Sequence, residues 1–359
     1  MNQALLEKFV IYLQKANWLI FGPTLIPLDS LDEEEISPYL TAHQPQTKKD
    51  NGLILIKQIE KPTELVLDDR LPFYSFKHFF IPEGETLFKY KNNSLKESFE
   101  EQKVALLGVN LLDLKAINLY DQVFEKDPYY QARRRKILIV GSSSVPEISN
   151  NIFAQKYEED ILEHLPFDIF FANDQQPTIN NQHFKVFSGS IKGQRILEHF
   201  GYKDYQHIQF SGPIKEGKPD EQMERLRDKL KNKHNQKIWD ELGTRCIECG
   251  KCTLSCPTCF CFRVDDYPGL EKNSGARVRC WDSCFYQEFS EVSGPSTSSG
   301  QAPKFLKTTA ERIHFWYFHK FARIPDEFNF IGCVGCRRCA KVCPVGIDIK
   351  EVLKEIEAS

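Results

Sequence analysis

The chain has 359 residues, of which 41% are hydrophobic and 27% charged, the profile of an ordinary globular protein with room for two or three domains. Its formal net charge of −3 gives no reason to expect nucleic acid or an anionic membrane as a partner. No apolar run reaches the roughly 18 residues of a membrane span, and no basic-then-apolar leader opens the sequence, so a cytoplasmic location is expected.

In chain order, Leu5, Leu6, Phe9, Val10 and Leu13 recur at helical spacing and predict an amphipathic helix over 3–15. Residues 53–57 and 64–67 read as strands. The aromatic stretch 72–90, with Phe73, Phe76, Phe79, Phe80 and Phe88, reads as core before it reads as a partner-facing surface. From 104 onward, apolar runs alternate with helical periodicity: a strand at 104–109, a helix capped by Asp113, a strand at 137–140, a helix near 155–165 and a strand at 167–171. This alternation predicts an α/β domain with parallel strands over 1–235, assigned to partner docking.

Gly141-Ser142-Ser143-Ser144 sits where a strand would feed a phosphate loop. It lacks both the Gly-Lys-Ser/Thr of a P-loop and the second and third glycines of the dinucleotide fingerprint, so no flavin or NAD is expected in this chain. The run Arg133-Arg134-Arg135-Lys136 reads as a solvated helix end before it reads as a docking patch.

A charged helix over 220–242 leads into a second domain, 236–359. All 12 cysteines lie there. Cys246, Cys249, Cys252 and Cys256-Pro257 form one run; Cys333, Cys336, Cys339 and Cys343-Pro344 form another. Each is the C-x2-C-x2-C-x3-C-P pattern of ferredoxins with two iron–sulfur clusters. Three thiolates spaced by two residues can wrap one face of a 4Fe–4S cubane, and the fourth, set off by three residues and a proline, ligates the other cluster. One cluster is then expected on Cys246, Cys249, Cys252 and Cys343, the other on Cys333, Cys336, Cys339 and Cys256. Structural zinc usually uses two pairs of ligands across a longer spacer, with no role for the proline. Nothing marks a secreted, disulfide-bonded protein.

Residues 257–332 separate the runs, more than a compact β-type ferredoxin uses, and 308–323 reads helical. An α-helical, ferredoxin-like dicluster domain is expected, with a flexible low-complexity loop at 291–303 and a last helix capped by Asp348. Four cysteines remain: Cys259, Cys261, Cys280 and Cys284. They are a possible third metal site or buried small apolar residues. Cys280 and Cys284 would share a face if their segment is helical. Arg337, between two ligands, is the expected cation that raises a cluster's potential.

Several segments resemble one family: Cys246 to Phe262, Gly275-Ala-Arg-Val-Arg-Cys-Trp281-Asp-Ser-Cys284, His319-Lys320-Phe321, Gly332 to Ile349, Lys77-His-Phe-Phe-Ile-Pro82-Glu83, and Asp127-Pro128-Tyr129 with Arg133 and Arg134. They are similar to the iron–sulfur electron-transfer subunits of sulfhydrogenases (the beta subunit) or of anaerobic sulfite reductases. The resemblance implies an electron-transfer role in an NAD(P)-linked complex, rather than a catalyst alone. The partners it implies are a flavoprotein subunit that binds NAD(P)H and a catalytic subunit with nickel–iron or sirohaem. It supports Cys259, Cys261 and Cys284 more than Cys280. This chain departs from the family in lacking cysteines near 108–113 and after Gly141, and in carrying Arg337 where the family has Gly. A sulfite reductase-type complex, a sulfur-reducing enzyme built on the spare cysteines, and a redox sensor are the alternatives.

Overall fold

A computed structural model describes residues 1–27, 52–67, 70–92, 94–99, 102–142, 159–173, 183–213, 221–231, 236–291 and 304–358. The loop expected at 291–303 lies almost wholly outside the described residues, as do Ser143, Ser144 and the start of the helix expected near 155. The described strands are β1 (Leu19–Pro27), β2 (Gly52–Gln58), β3 (Gly84–Lys91), β4 (Ser94–Glu97), β5 (Val104–Val109), β6 (Ile137–Ser142), β7 (Ile169–Asn173), β8 (Phe184–Ser188), β9 (Gln206–His207), β10 (Phe262–Pro268) and β11 (Ser274–Trp281). The chain divides into two compact units, one drawn from residues up to 81 and from 99 to 213, the other from 82–98 and from 221 onward.

In the first unit seven described strands lie side by side in the order β2-β1-β5-β6-β7-β8-β9. The central pairs β1–β5, β5–β6 and β6–β7 are parallel, whereas β2 on β1 and β8 on β7 are antiparallel. The sheet is therefore mixed rather than purely parallel. The helix Gln3–Lys15 starts where Asn2 accepts the Leu5 N–H, a side-chain cap that satisfies one orphan donor. It buries Leu6, Phe9, Val10 and Leu13 in a core with Ile20, Leu107, Val140, Ile169 and Phe171. Asn110, and not Asp113, caps the helix Leu111–Val123; its side-chain oxygen accepts the Asp113 N–H at 2.9 Å. Residues 64–67 are not a strand: Pro62–Glu64 make a single 3-10 turn and Leu65 forms one isolated bridge to Thr24. The basic run ends the helix Pro128–Lys136, but two of its members turn inward. Arg133 donates to the Phe80 carbonyl at 2.7 Å and Arg134 pairs with Asp121 at 3.0 Å.

The second unit holds the helices Gln236–Arg245, Lys251–Leu254, Thr309–Phe318, Ile324–Phe328, Arg338–Lys341 and Ile349–Ala358. Thr308 and Glu311 close a capping box at the start of Thr309–Phe318, and Asp348 accepts the Lys350 N–H at 2.9 Å at the start of the last helix. This unit is not all-helical. An antiparallel sheet in the order β10-β11-β3-β4 joins the segment between the cysteine runs to residues 84–97. Arg279 on β11 and Glu85 on β3 form an ion pair with side chains 6% and 9% exposed, which fastens the two segments together. Residues 262–265 and 276–280 alternate apolar with charged residues, a period of two that no helix uses. Cys280 therefore lies within a strand, and it shares no helix face with Cys284.

Candidate metal centre

The two cysteine runs have the same local fold. Cys246 follows the helix Gln236–Arg245, its N–H bonded to the Leu242 carbonyl at 2.9 Å. Two residues on, Glu248 takes a left-handed conformation (φ 57°), and so does Gly250 (φ 69°) before the short helix Lys251–Leu254. In the second run the equivalent positions are Gly335 (φ 73°) and Arg337 (φ 57°), before Arg338–Lys341. The Glu248 and Gly335 N–H groups each donate to the sulfur of their run's first cysteine, both at 3.4 Å. Ile347 N–H donates to Cys343 Sγ at 3.2 Å. Backbone donors aimed at sulfur stabilise thiolate charge. Each run thus carries one glycine and one non-glycine residue where the backbone favours glycine.

Cys246, Cys249 and Cys252 line a single cavity together with Cys343 from the other run. Phe285, Ile313, Trp316, Tyr317, Ile347 and Ile349 wall it. Burial raises the Cys246 thiol, with Cys249 and Cys343 close enough to add to the rise. Burial does the same to Cys252. A metal centre bound here would hold these sulfurs as thiolates by supplying the missing positive charge. Tyr317 Oη and Trp316 Nε1 are buried without a hydrogen-bond partner among the described residues, and both residues line this cavity. A cubane offers such donors its sulfide and thiolate sulfurs. The donor set, the apolar wall and the orphaned donors all fit a 4Fe–4S cluster.

Cys333, Cys336, Cys339 and Cys256 form the second set. Burial pushes the Cys333 thiol up to about 12 against the pull of Lys320, and the Cys256 and Cys336 sulfurs add to the rise. Burial raises Cys339 further, with Cys256, Cys333 and Cys336 as neighbours. Cys256 runs the other way. A hydrogen bond from Cys259 holds its thiol well below the ordinary range despite burial, and Lys320 and Thr258 assist. Cys339 also lines the first cavity, so the two sulfur sets are neighbours.

Sequence patterns missed what surrounds these sulfurs. Lys320, 2% exposed, donates to Cys256 Sγ at 3.2 Å, Thr258 Oγ1 at 3.1 Å and the Gly332 carbonyl at 2.9 Å. Its sequence signals were a lysine inside an aromatic helical stretch and the family resemblance of His319-Lys320-Phe321, neither of which placed it beside a sulfur. Arg337, the expected cation, pairs with Asp348. Glu248 is held by Arg312, Thr309 and Gln287; burial opposes its charge, but those hydrogen bonds keep its carboxyl below the usual range.

Residues 245–347 match a family described as a 4Fe-4S dicluster domain. Over 319 residues, 85% of this chain and 90% of the relative, the sequence is 30% identical to sulfhydrogenase 2 subunit beta of Pyrococcus furiosus. The chain belongs to the sulfhydrogenase beta subunit family. No solved structure matches it.

In this dicluster domain the four cysteines outside the runs do not gather as one set. Cys259 is hydrogen-bonded to Cys256, and Cys284 to Cys261, with Cys259 close by. Cys280 lies on β11, opposite Arg263 of β10, with its sulfur hydrogen-bonded to the Tyr267 hydroxyl. Among the described residues no group of three His, Cys, Asp or Glu side chains is placed to hold a single metal ion. No described helix of this family member is long and apolar enough to cross a membrane.

Proposed function

We propose that this chain is the iron–sulfur electron-transfer component of a multi-subunit oxidoreductase of the sulfhydrogenase type. Cys246, Cys249, Cys252 and Cys343 hold one 4Fe–4S cluster; Cys333, Cys336, Cys339 and Cys256 hold the other. The observation that carries this is the convergence of three sulfurs from one run and the fourth sulfur of the other on a single apolar cavity, which Cys339 of the neighbouring set also lines. When bound, the clusters accept and release one electron at a time. The chain's own residues exclude water with Phe285, Trp316 and Ile349, and the N–H groups of Glu248, Gly335 and Ile347 stabilise thiolate charge. Electrons would pass between a flavoprotein subunit that binds NAD(P)H and a catalytic nickel–iron subunit. Cys259, Cys261, Cys280 and Cys284 are read as structural thiols, supported by the Cys284–Cys261 hydrogen bond, the Cys259–Cys256 hydrogen bond and Cys280's separate place on β11.

Anaerobic reconstitution tests this. About eight irons per chain are expected, and about twelve would bring in a third cluster on the remaining thiols. Cys343→Ser should disturb the cluster of the first run. Damage confined to the cluster of the second run would overturn the crossed assignment. The isolated, reconstituted chain should oxidise neither NADPH nor hydrogen, and should do so only with its partner subunits.

A further inference from the structure

Lys320 is a buried cation in hydrogen-bond contact with a run cysteine, Cys256. It sits in a one-turn π-helix, His319–Arg323, that follows the helix Thr309–Phe318; such turns are rare and concentrate at functional sites. Its three donors have three acceptors: Cys256 Sγ, Thr258 Oγ1 and the Gly332 carbonyl. An ammonium has three N–H donors and no acceptor, so this set fits the charged form. Thr258 donates its own proton to the Gly332 carbonyl at 2.8 Å, which leaves its oxygen free to accept from Lys320. The Lys320 carbonyl in turn accepts the Gly332 N–H at 2.8 Å. Lys320 therefore bridges the last cysteine of the first run to the residue that opens the second.

The two sulfur sets have unequal surroundings. No lysine or arginine lines the cavity of Cys246, Cys249, Cys252 and Cys343; its polar contributors are the neutral Tyr317 and Trp316 donors and backbone N–H groups. The second set is more deeply buried, with Cys256 and Cys333 both enclosed. Burial alone disfavours added negative charge and would make that site the harder one to reduce. A full positive charge in hydrogen-bond contact with one of its ligands acts in the opposite sense. At protein-interior dielectric it outweighs neutral donors at similar range.

Resting on the two-cluster assignment above, we propose that Lys320 makes the two clusters electrically unequal. It raises the potential of the cluster on Cys333, Cys336, Cys339 and Cys256, so that this cluster is reduced first and holds the electron at rest. It acts through the ligand Cys256 and is a positioning residue, since it touches no substrate.

The test is a redox titration of the reconstituted full chain, followed by electron paramagnetic resonance, for the parent, Lys320→Met and Lys320→Arg. In Lys320→Met, which keeps chain length and removes charge, one cluster should lose at least about tenfold in its reduction equilibrium, ~59 mV for one electron. The other cluster should move far less. Lys320→Arg should restore the parent midpoint. Two intact clusters with unmoved midpoints in Lys320→Met, or an equal shift of both, would overturn the proposal. If Lys320→Met does not assemble, the parent chain still decides. The cluster that is reduced first should be the one altered by Cys336→Ser, and the proposal fails if Cys249→Ser alters it instead. Absence of any cubane signal in the parent would strike the two-cluster assignment, and iron analysis separates that failure from failure of the Lys320 effect.

Discussion

Glu248 and Gly335 adopt the same left-handed backbone conformation, each two residues after the first cysteine of its run, and each N–H donates to that cysteine's sulfur. A non-glycine residue there costs about 1 kcal/mol in backbone strain. Glu248 is retained in that conformation by its pairing with Arg312, whose side chain is 3% exposed.

Two glycine substitutions should therefore have opposite signs. Arg337→Gly relieves left-handed strain and gives up only a half-exposed pair with Asp348, so stability should rise by about 0.5 kcal/mol. Glu248→Gly relieves the same strain but strands the buried Arg312 guanidinium, and should cost about 2 kcal/mol net. Anaerobic denaturant titration of the loaded protein measures both; two changes of equal sign would contradict this account.

Gly332→Ala should damage the second cysteine set without touching a ligand. A Cβ there would lie 2.9 Å from both the Lys320 Cα and its carbonyl oxygen, and 2.7 Å from Ile324. Backbone cannot give way as a flexible side chain can, so a loss of about 2 kcal/mol is expected. Titration midpoints and iron content report it, and an unchanged protein would mean the close approach is not maintained in solution.

Iron removal should act locally. On the proposed crossed assignment, each cluster would tie 246–256 to 333–347, so metal binding would contribute folding free energy to this part of the chain. Chelation under anaerobic conditions should raise amide exchange in both stretches, while β5 and β6, which lack cysteine, keep their protection. Exchange mass spectrometry resolves the two regions. Equal loss in β5 and β6 would show that the metal supports the whole chain.

His319 should give the protein an acid-sensitive component. Burial, with the Lys320 and Arg323 charges and against the pull of Glu327, lowers its pKa from 6.5 to about 4. Between those values the unfolded chain binds a proton that the folded chain does not. Stability therefore falls as pH drops from 6.5 toward 4, by about 1 kcal/mol at pH 5.5. His319→Phe, which can keep the stack on Phe315, should remove that slope in denaturant titrations at pH 7.5 and 5.5.

The dicluster domain was legible because the spacing of its two cysteine runs is itself the chemistry. Helices such as Gln3–Lys15 and strands such as β5 were legible because their apolar period matched the face they bury. Harder to see was Lys320, since its role depends on Gly332 and Cys256, residues brought to it by the fold rather than by order along the chain. The Asn110 cap was missed in favour of Asp113 because both are capping residues within one turn. Strands β10 and β11 were missed because the long spacing between the cysteine runs pointed to helical ferredoxins, although Ala276, Val278 and Cys280 alternate with Arg277 and Arg279 along β11.

The pairing of β3 with β11 also imposes an order of events on synthesis. Glu85 must wait for Arg279, 194 residues later, before its charge is matched. A two-stranded β3–β4 ribbon is marginal alone, so it leaves the ribosome as an unpaired edge and stays one until most of the chain has been made. A gene fragment beginning near 236 would translate every cysteine and still lack two strands of the sheet. Supplying residues 82–98 as a separate peptide should then improve the fragment's recovery.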